Sequence, residues 1–366
     1  MLFSEGLNMK IFTIYSLIVI NLLFSQGFWG KEWPVPKIEY APKTYVCYKV
    51  TSPIVMDGKL DEDAWQLSNW TDLFVDIEGR LKPKPFYDTK VKMLWDDEYF
   101  YFAVEMEEPH VWGKLKQRDT VIFKDNDFEI FLDPDGDTHN YYELEVNALG
   151  TEWDLMLLKP YHNQDKVAVD SWDIPGLITK VHVDGTINNP SDRDKGWSIE
   201  IAIPWKALIN NFRSNTPPKE GEQWKVNFSR VQWDVDIIDG KYVKTDSPEY
   251  NWVWSPQGLI YMHTPETWGL VQFTNESAIS KNIKFKKSKL DQTKWALRQL
   301  WYRESNYYFN NNRYTKSIKK LGLKTKPVSG VIWPPLISVT PSGWEAYIEE
   351  NGQKVFIRKD GKTWVE

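Results

Sequence analysis

Residues 125–137 read DNDFEIFLDPDGD, residues 141–154 read YYELEVNALGTEWD, and residues 91–106 read VKMLWDDEYFYFAVEM. Each run alternates apolar and polar residues with the two-residue period of a β-strand that is buried on one face only. The three runs follow one another closely, with turn residues between them. They therefore predict neighbouring strands of a sheet that has one apolar face and one polar face.

The alternation also predicts which side chains share a face. The apolar face of the second and third strands would hold Phe128, Ile130, Leu132, Tyr142, Leu144 and Val146. The opposite face would hold Asp127, Glu129, Phe131, Tyr141, Glu143, Glu145 and Asn147. A face of carboxylates, amides and nearby aromatic rings is suited to a polar ligand on the outside of a sandwich.

Turn sequences such as Asp184-Gly185 and Asp239-Gly240 separate many further short runs. This spacing predicts an all-β fold, an antiparallel β-sandwich of jelly-roll-like form, rather than a parallel α/β sheet. We expect five segments: a signal peptide (1–27), an N-terminal segment (28–44), the sandwich (45–274), a linker (275–290) and a small α+β C-terminal region (291–366).

The N-terminus predicts export. Lys10 precedes an apolar run over residues 11–24, and residues 25–27, Ser-Gln-Gly, offer small residues for cleavage. The run is short for a membrane span. We therefore expect a periplasmic or extracellular protein with no membrane span after cleavage, and an uncleaved anchor is the alternative.

The C-terminal region reads differently. Asp291 is placed to cap a helix that runs to about Tyr308. Further helical turns are predicted over residues 314–321. Turns at Asn351-Gly352 and Asp360-Gly361 predict a small antiparallel sheet in the last thirty or so residues.

Composition excludes several functional classes. The 366 residues carry a net charge of −6 that is spread along the chain, which argues against nucleic-acid binding. A single cysteine excludes an intrachain disulfide framework. The 20 Trp, 18 Tyr and 17 Phe residues suit a β-rich core or a surface that binds sugar.

Six blocks, taken together and in this order, resemble the family 9 carbohydrate-binding modules, a β-sandwich family often attached to xylanases and other glycoside hydrolases. They read MDGKLDEDAW (56–65), VKMLWDDEYFYF (91–102), DNDFEIFLDPDGD (125–137), YELEVNALGT (142–151), GWSIEIAIPW (196–205) and WKVNF (224–228). The run WSPQGLIYMHTPETWGLVQF (254–273) resembles the family's last strand region. The resemblance covers about residues 50–273 and implies a carbohydrate partner.

Members of the family clamp a sugar between two Trp side chains. The resemblance places Phe123 at the first clamp position and His263 near the second, where this chain has no Trp. It places Glu129 at the family's binding carboxylate. Glu145 falls where the family has an arginine, so the charge is reversed.

Other residues complete the predicted ligand-binding set. Trp172 and Trp252 are substitutes for the missing second ring. Asp125 and Asn147, with the glutamates, supply donors and acceptors for sugar hydroxyls.

A calcium site is also predicted. Asp133, Asp135 and Asp137 alternate in a Pro-Gly turn, and oxygen ligands in a loop suit calcium. The resemblance adds to this prediction, because structural calcium occurs in the family. A plain turn is the alternative.

Two further functions stay open. A glycoside hydrolase needs two carboxylates about 5 Å apart or wider, which Glu129 and Glu145 are placed to provide. A haem-type redox module would need axial ligands, for which Met262 and His263 are the neighbouring pair. No nucleophile elbow, P-loop or dinucleotide fingerprint is present, so we assign no catalytic residue. The first interpretation is an exported carbohydrate-binding protein of a glycan-degrading system, with glycoside hydrolases as partners.

Overall fold

The structure is a computed structural model that describes residues 33–161, 166–208, 217–280 and 282–366. The predicted signal peptide lies outside the described residues. The described chain forms two compact units. One holds Pro36–Asp291 with Lys362–Trp364, and the other holds residues 33–35, 292–361 and 365–366.

The first unit is almost entirely β. It contains one short helix, α1 (Asp63–Leu67). Its strands are β1 (Thr44–Lys49), β2 (Val75–Asp76), β3 (Thr89–Trp95), β4 (Tyr99–Glu107), β5 (Asp127–Asp133), β6 (Tyr141–Asn147), β7 (Glu152–Leu157), β8 (Ala168–Val169), β9 (Ile178–Asp184), β10 (Gly196–Pro204), β11 (Gln223–Gln232), β12 (Val235–Ile238), β13 (Lys241–Lys244), β14 (Tyr250–Val253) and β15 (Gly269–Ser277).

The strands form two layers joined by one hydrogen-bonded path. The order is β8-β7-β6-β5-β11-β15-β1-β3-β4-β10-β9, and β14 and β2 extend from the end of β11. Pairing is antiparallel except at β1, which runs parallel to both β15 and β3. This arrangement confirms the predicted sandwich.

A single apolar core fills the space between the layers. Phe128, Ile130 and Leu132 of β5 enter it from one layer, as the alternation predicts, and Phe100 and Phe102 of β4 enter it from the other. Burial of such side chains, at about 25 cal/mol per Å² of apolar surface, is the main favourable contribution to the folding free energy.

One expectation about β5 and β6 is wrong. The sequence predicts burial on one face, whereas all residues of both strands are buried. A second, smaller apolar cluster covers the polar face. It consists of Phe131, Tyr141, Leu155, Leu157 and Trp268.

The second unit contains most of helix α2 and most of a small sheet. Helix α2 (Lys289–Asn311) is the predicted C-terminal helix, extended at both ends. The sheet has the order β16 (Leu336–Thr340), β17 (Gly343–Glu350), β18 (Gln353–Arg358) and β19 (Thr363–Val365). Of the helical turns predicted over residues 314–321, one forms: the backbone N–H of Leu321 donates to the Ser317 carbonyl at 3.2 Å. Gly322 has a φ of 72°, which closes a single turn there.

Among the described residues, no helix combines the length and apolarity needed to cross a lipid bilayer.

Candidate functional site

Strands β5 and β6 bring the predicted carboxylates together. Glu129 lies directly opposite Glu145, and Phe131 lies opposite Glu143. Asp127 is two residues before Glu129 on the same face, opposite Asn147. We call Asp127, Glu129, Glu143 and Glu145 the acidic face. Oxygen atoms of Asp127, Glu129 and Glu145 lie within 4.8 Å of one another.

Burial and mutual repulsion raise the pKa values of the acidic face. The pKa of Glu129 is raised to about 7 by burial. Burial, and then the charge of Glu129, raise the pKa values of Asp127, Glu143 and Glu145 well above the ordinary range. Four carboxylates so close cannot all be ionised without a compensating charge. The face therefore holds protons or a cation.

The cover of the acidic face explains its burial. Leu155 and Leu157 of β7 lie in register with Glu143 and Tyr141 and so project on the same side. Trp268 packs against Phe131 with ring centroids 5.5 Å apart, and its indole N–H donates to the Met262 carbonyl at 2.9 Å. The chain before β15 thus closes over part of the face.

Phe123 lies at the rim of the acidic face. Its side chain is 36% exposed. Its backbone N–H donates to Oε2 of Glu145 at 2.9 Å, and its carbonyl accepts from the indole N–H of Trp233 at 2.8 Å. The structure therefore holds a half-exposed ring next to a buried carboxyl group.

Asp125 and Asn147 have structural partners. Oδ2 of Asp125 accepts from the backbone N–H groups of Lys114 and Leu115 at 2.7 and 2.8 Å. The amide of Asn147 donates to the same Asp125 oxygen at 3.1 Å and to the Leu115 carbonyl at 2.9 Å. These two side chains shape the loop beside the acidic face.

The two substitute tryptophans lie elsewhere. Trp252 is 2% exposed and belongs to the main core, because its position on β14 projects inwards. Trp172 is half-buried, and its ring lies 4.9 Å from that of Tyr142, which also projects into the core. The structure does not bring either ring to the acidic face.

His263 lies in an aromatic group on the covered side of the face. Its Nδ1 is 2.9 Å from the Tyr141 hydroxyl, and its ring contacts Phe131 edge-on. Burial lowers its pKa to about 3, so the imidazole is neutral at physiological pH. Gln257 donates to Sδ of neighbouring Met262 at 3.1 Å. Both predicted axial ligands are thus engaged within the protein.

Tyr161 is a site residue that sequence reasoning missed. It is 38% exposed, and its ring lies 4.6 Å from that of His263. His263 in turn contacts Phe131 of β5. Burial, and then the charges of Glu143, Asp170 and Glu145, raise the pKa of Tyr161. Tyr161 lies outside the six blocks that resemble the family. The only indication in the sequence was an aromatic residue in a short connection between strands.

The predicted calcium loop brings its three carboxylates together. Oxygen atoms of Asp133, Asp135 and Asp137 lie within 4.8 Å of one another. Asp133 accepts from the backbone N–H groups of Gly136 and Thr138 at 3.0 and 2.9 Å. Asp137 pairs with Lys362 of the same unit at 2.8 Å. The spacing fits a cation while two carboxylates already have partners, so calcium at this loop stays a prediction.

A separate cavity of about 510 Å³ opens on the other layer, along β4, β9 and β10. Its walls contain two ion pairs, Lys90 with Glu105 at 2.7 Å and Lys195 with Asp184 at 2.9 Å. Its one tryptophan, Trp197, is 3% exposed and belongs to the core. The cavity therefore lacks an aromatic platform.

The family described as "Carbohydrate family 9 binding domain-like" matches residues 55–275. A comparison with curated proteins gives no match.

Solved structures with similar folds include a family 9 carbohydrate-binding module from Caldicellulosiruptor kristjanssonii in complex with cellotriose. It is 17% identical, covers 67% of this chain and all of its own, and has a TM-score of 0.41. The glucose complex of a family 9 module from that organism is 18% identical, with 65% and 99% coverage and a TM-score of 0.40. A putative carbohydrate-binding protein from Bacteroides uniformis is 18% identical, with 64% and 100% coverage and a TM-score of 0.46. Because the family match spans more than half of the residues, this chain belongs to the carbohydrate family 9 binding domain-like proteins.

Proposed function

We propose that this protein binds an oligosaccharide, or a segment of a polysaccharide, at the acidic face between Phe123 and Tyr161. The observation that carries the proposal is the hydrogen bond that holds the exposed residue Phe123 against Glu145 of the acidic face, in a chain of this family. The C–H face of a pyranose stacks on an aromatic ring, and the carboxyl groups pair with its hydroxyls.

The expected affinity is modest. Each hydrogen bond to a sugar hydroxyl contributes only about 1 kcal/mol net in water. A few such bonds with one or two stacked rings correspond to a Kd in the micromolar range or weaker, about −8 kcal/mol at most. Weak, repeated attachment suits a protein that keeps a glycan near other proteins.

The direct test is binding of the full chain to a glycan panel. Affinity electrophoresis in gels cast with soluble glucans, xylans and mannans, followed by calorimetry with the matching trisaccharides, should show retardation and saturable binding by at least one glycan. If the protein binds none of these glycans, the proposal is refuted.

The proposal also includes export of the protein and a role in glycan degradation. The N-terminal apolar run supports export, and we infer a place in a glycan-degrading system alongside glycoside hydrolases. N-terminal sequencing of the secreted protein should find cleavage near residue 27. Addition of the protein to a glycoside hydrolase should increase sugar release from insoluble glycan and leave release from soluble substrate unchanged.

One observation favours a second function, glycoside hydrolysis. Glu129 and Glu145 lie opposite each other with oxygens within 4.8 Å, close to the separation of about 5 Å that retaining enzymes use. Release of reducing sugar by the purified protein, lost in Glu129→Gln with folding retained, would establish it. Binding without product release would exclude it.

A further inference from the structure

Three carboxyl groups of the acidic face form a compact buried cluster. Asp127 is fully buried, Glu129 is 5% exposed and Glu145 is 2% exposed. Their nearest oxygens all lie within 4.8 Å of one another. Two adjacent strands hold them, so the spacing is set by backbone pairing rather than by a loop.

Asp127 adds a second, independent observation. Both of its carboxyl oxygens are buried and form no hydrogen bond of ordinary geometry with any described residue. The backbone N–H of Val231 lies close enough to lower its pKa but does not form such a bond. Buried polar groups in folded proteins nearly always have a partner. A carboxyl group that projects into a cluster of carboxyl groups without one indicates a ligand.

The basic side chains that the structure describes do not form ion pairs with these carboxyl groups. The two buried basic residues of β11, the strand next to β5, are used elsewhere. Lys225 pairs with Asp291 at 3.0 Å, and Arg230 pairs with Glu108 at 3.1 Å. Within the described ranges, Asp127, Glu129 and Glu145 form no ion pair with a lysine, arginine or histidine.

A comparison within the same molecule makes the contrast clear. Asp154 is another fully buried aspartate with acidic neighbours. It pairs with Arg118 and also accepts from the backbone N–H of Ile174. Among the residues of known position, a counter-charge is therefore present at the Asp154 cluster and none is present at Asp127.

We propose that Asp127, Glu129 and Glu145 bind a divalent cation, with Ca²⁺ the best match. Ca²⁺ takes oxygen ligands at about 2.3–2.6 Å, so two of its ligands lie at most about 5 Å apart, as these oxygens do. A dry, carboxylate-lined position disfavours Mg²⁺, which retains several waters. The cation fastens β5 to β6 and removes most of the negative charge of the face.

This site is distinct from the Asp133, Asp135 and Asp137 loop, whose first and third carboxylates have protein partners. It also bears on the second candidate function, because a cation held by Glu129 and Glu145 leaves neither carboxylate available for hydrolysis. The inference does not require glycan binding, and its test uses no glycan.

The experiment is a Ca²⁺ titration of the chelator-treated full chain by calorimetry and thermal unfolding. Wild-type protein should bind and gain several degrees in Tm at saturating Ca²⁺. Asp127→Asn keeps the size of the side chain and should weaken Ca²⁺ binding at this site at least tenfold. The matched control Asp135→Asn should leave binding at this site unchanged. A loss of Ca²⁺ affinity in Asp135→Asn without a loss in Asp127→Asn would overturn the proposal. A wild-type protein that binds no Ca²⁺ would also overturn it.

A second readout covers the case in which Asp127→Asn fails to fold. Tb³⁺ occupies Ca²⁺ sites and emits when a nearby tryptophan is excited. Trp153 lies in register with Glu145 on β7. Trp153→Phe should remove most of the sensitised Tb³⁺ emission while the Ca²⁺ affinity stays within twofold, and Glu129→Gln should remove both. Full emission in both variants would place the ion elsewhere and refute the site.

Discussion

The backbone N–H of Phe123 donates a hydrogen bond to Oε2 of Glu145 over 2.9 Å. This bond couples the position of a half-exposed ring to a buried carboxyl group from a different strand. The backbone of Phe123 is therefore held in place by a residue of the acidic face.

Replacement of Phe123 by alanine should weaken glycan binding about five- to tenfold, because a stacked ring contributes about 1 kcal/mol. The Tm should change by only a few degrees, since the side chain is 36% exposed. Calorimetry and thermal unfolding measure the two quantities. The control is Phe309→Ala on α2, where the ring is 58% exposed. Equal affinities for wild type and Phe123→Ala would remove the ring from the binding site.

Replacement of Trp268 by alanine should destabilise the sandwich by about 3–5 kcal/mol, because it removes a fully buried ring and leaves a cavity. It also deletes the bond from the indole N–H to the Met262 carbonyl. Urea unfolding followed by circular dichroism gives the free energy of unfolding. Leu158→Ala, at a side chain 42% exposed just after β7, should cost less than about 1 kcal/mol. Similar costs for the two variants would contradict the cover described for the acidic face.

Arg230→Met should cost about 3–5 kcal/mol of unfolding free energy, because it leaves Glu108 buried without its partner. The guanidinium also lies 5.2 Å from the Trp252 ring centroid and donates to Gln232. Lys90→Met breaks the exposed pair with Glu105 and should cost less than about 1 kcal/mol. The same urea titrations compare the two. A small loss in Arg230→Met would show that the buried pair is dispensable.

Glu304 of α2 should make stability depend on pH. Burial raises its pKa from 4.5 to about 7, although the backbone N–H of Thr315 opposes this. Between these pH values the folded state holds a proton that the unfolded state has lost, so stability falls as pH rises through this window. Above pH 7 the whole contribution of this proton to the unfolding free energy is lost, which is roughly 1–3 kcal/mol.

Glu304→Gln isolates this contribution from that of other groups. The difference in unfolding free energy between Glu304→Gln and wild type should be larger at pH 8 than at pH 4.5, in favour of the variant. Urea midpoints at the two pH values provide the measurement. A difference that does not change with pH would show that Glu304 keeps its ordinary pKa in the folded protein.

The alternation of apolar and polar residues predicted most of the fold. Phe128, Ile130 and Leu132 enter the core because strand period alone assigns them to one side. The same period placed Glu129 and Glu145 together on the other side. The six ordered blocks predicted the family, and the family match over residues 55–275 confirms it.

Other features depend on contacts that no local pattern encodes. Trp268 follows Leu132 by more than a hundred residues, so its place over the polar face is a property of the folded chain. Trp252 was proposed as a substitute ring, yet its neighbours across β11 and β2 turn it inwards. Tyr161 acquires its position from the connection between β7 and β8, where no periodic pattern exists.

The parallel pairing of β1 with both β15 and β3 has a consequence for biosynthesis. Tyr45 of β1 lies in register with Val271, more than 200 residues later in the sequence. Contacts that join such distant positions form slowly, because a long loop must close first. Until β15 has been translated, β1 has only β3 to pair with, so its native pairing is complete only after nearly the whole sandwich has been made.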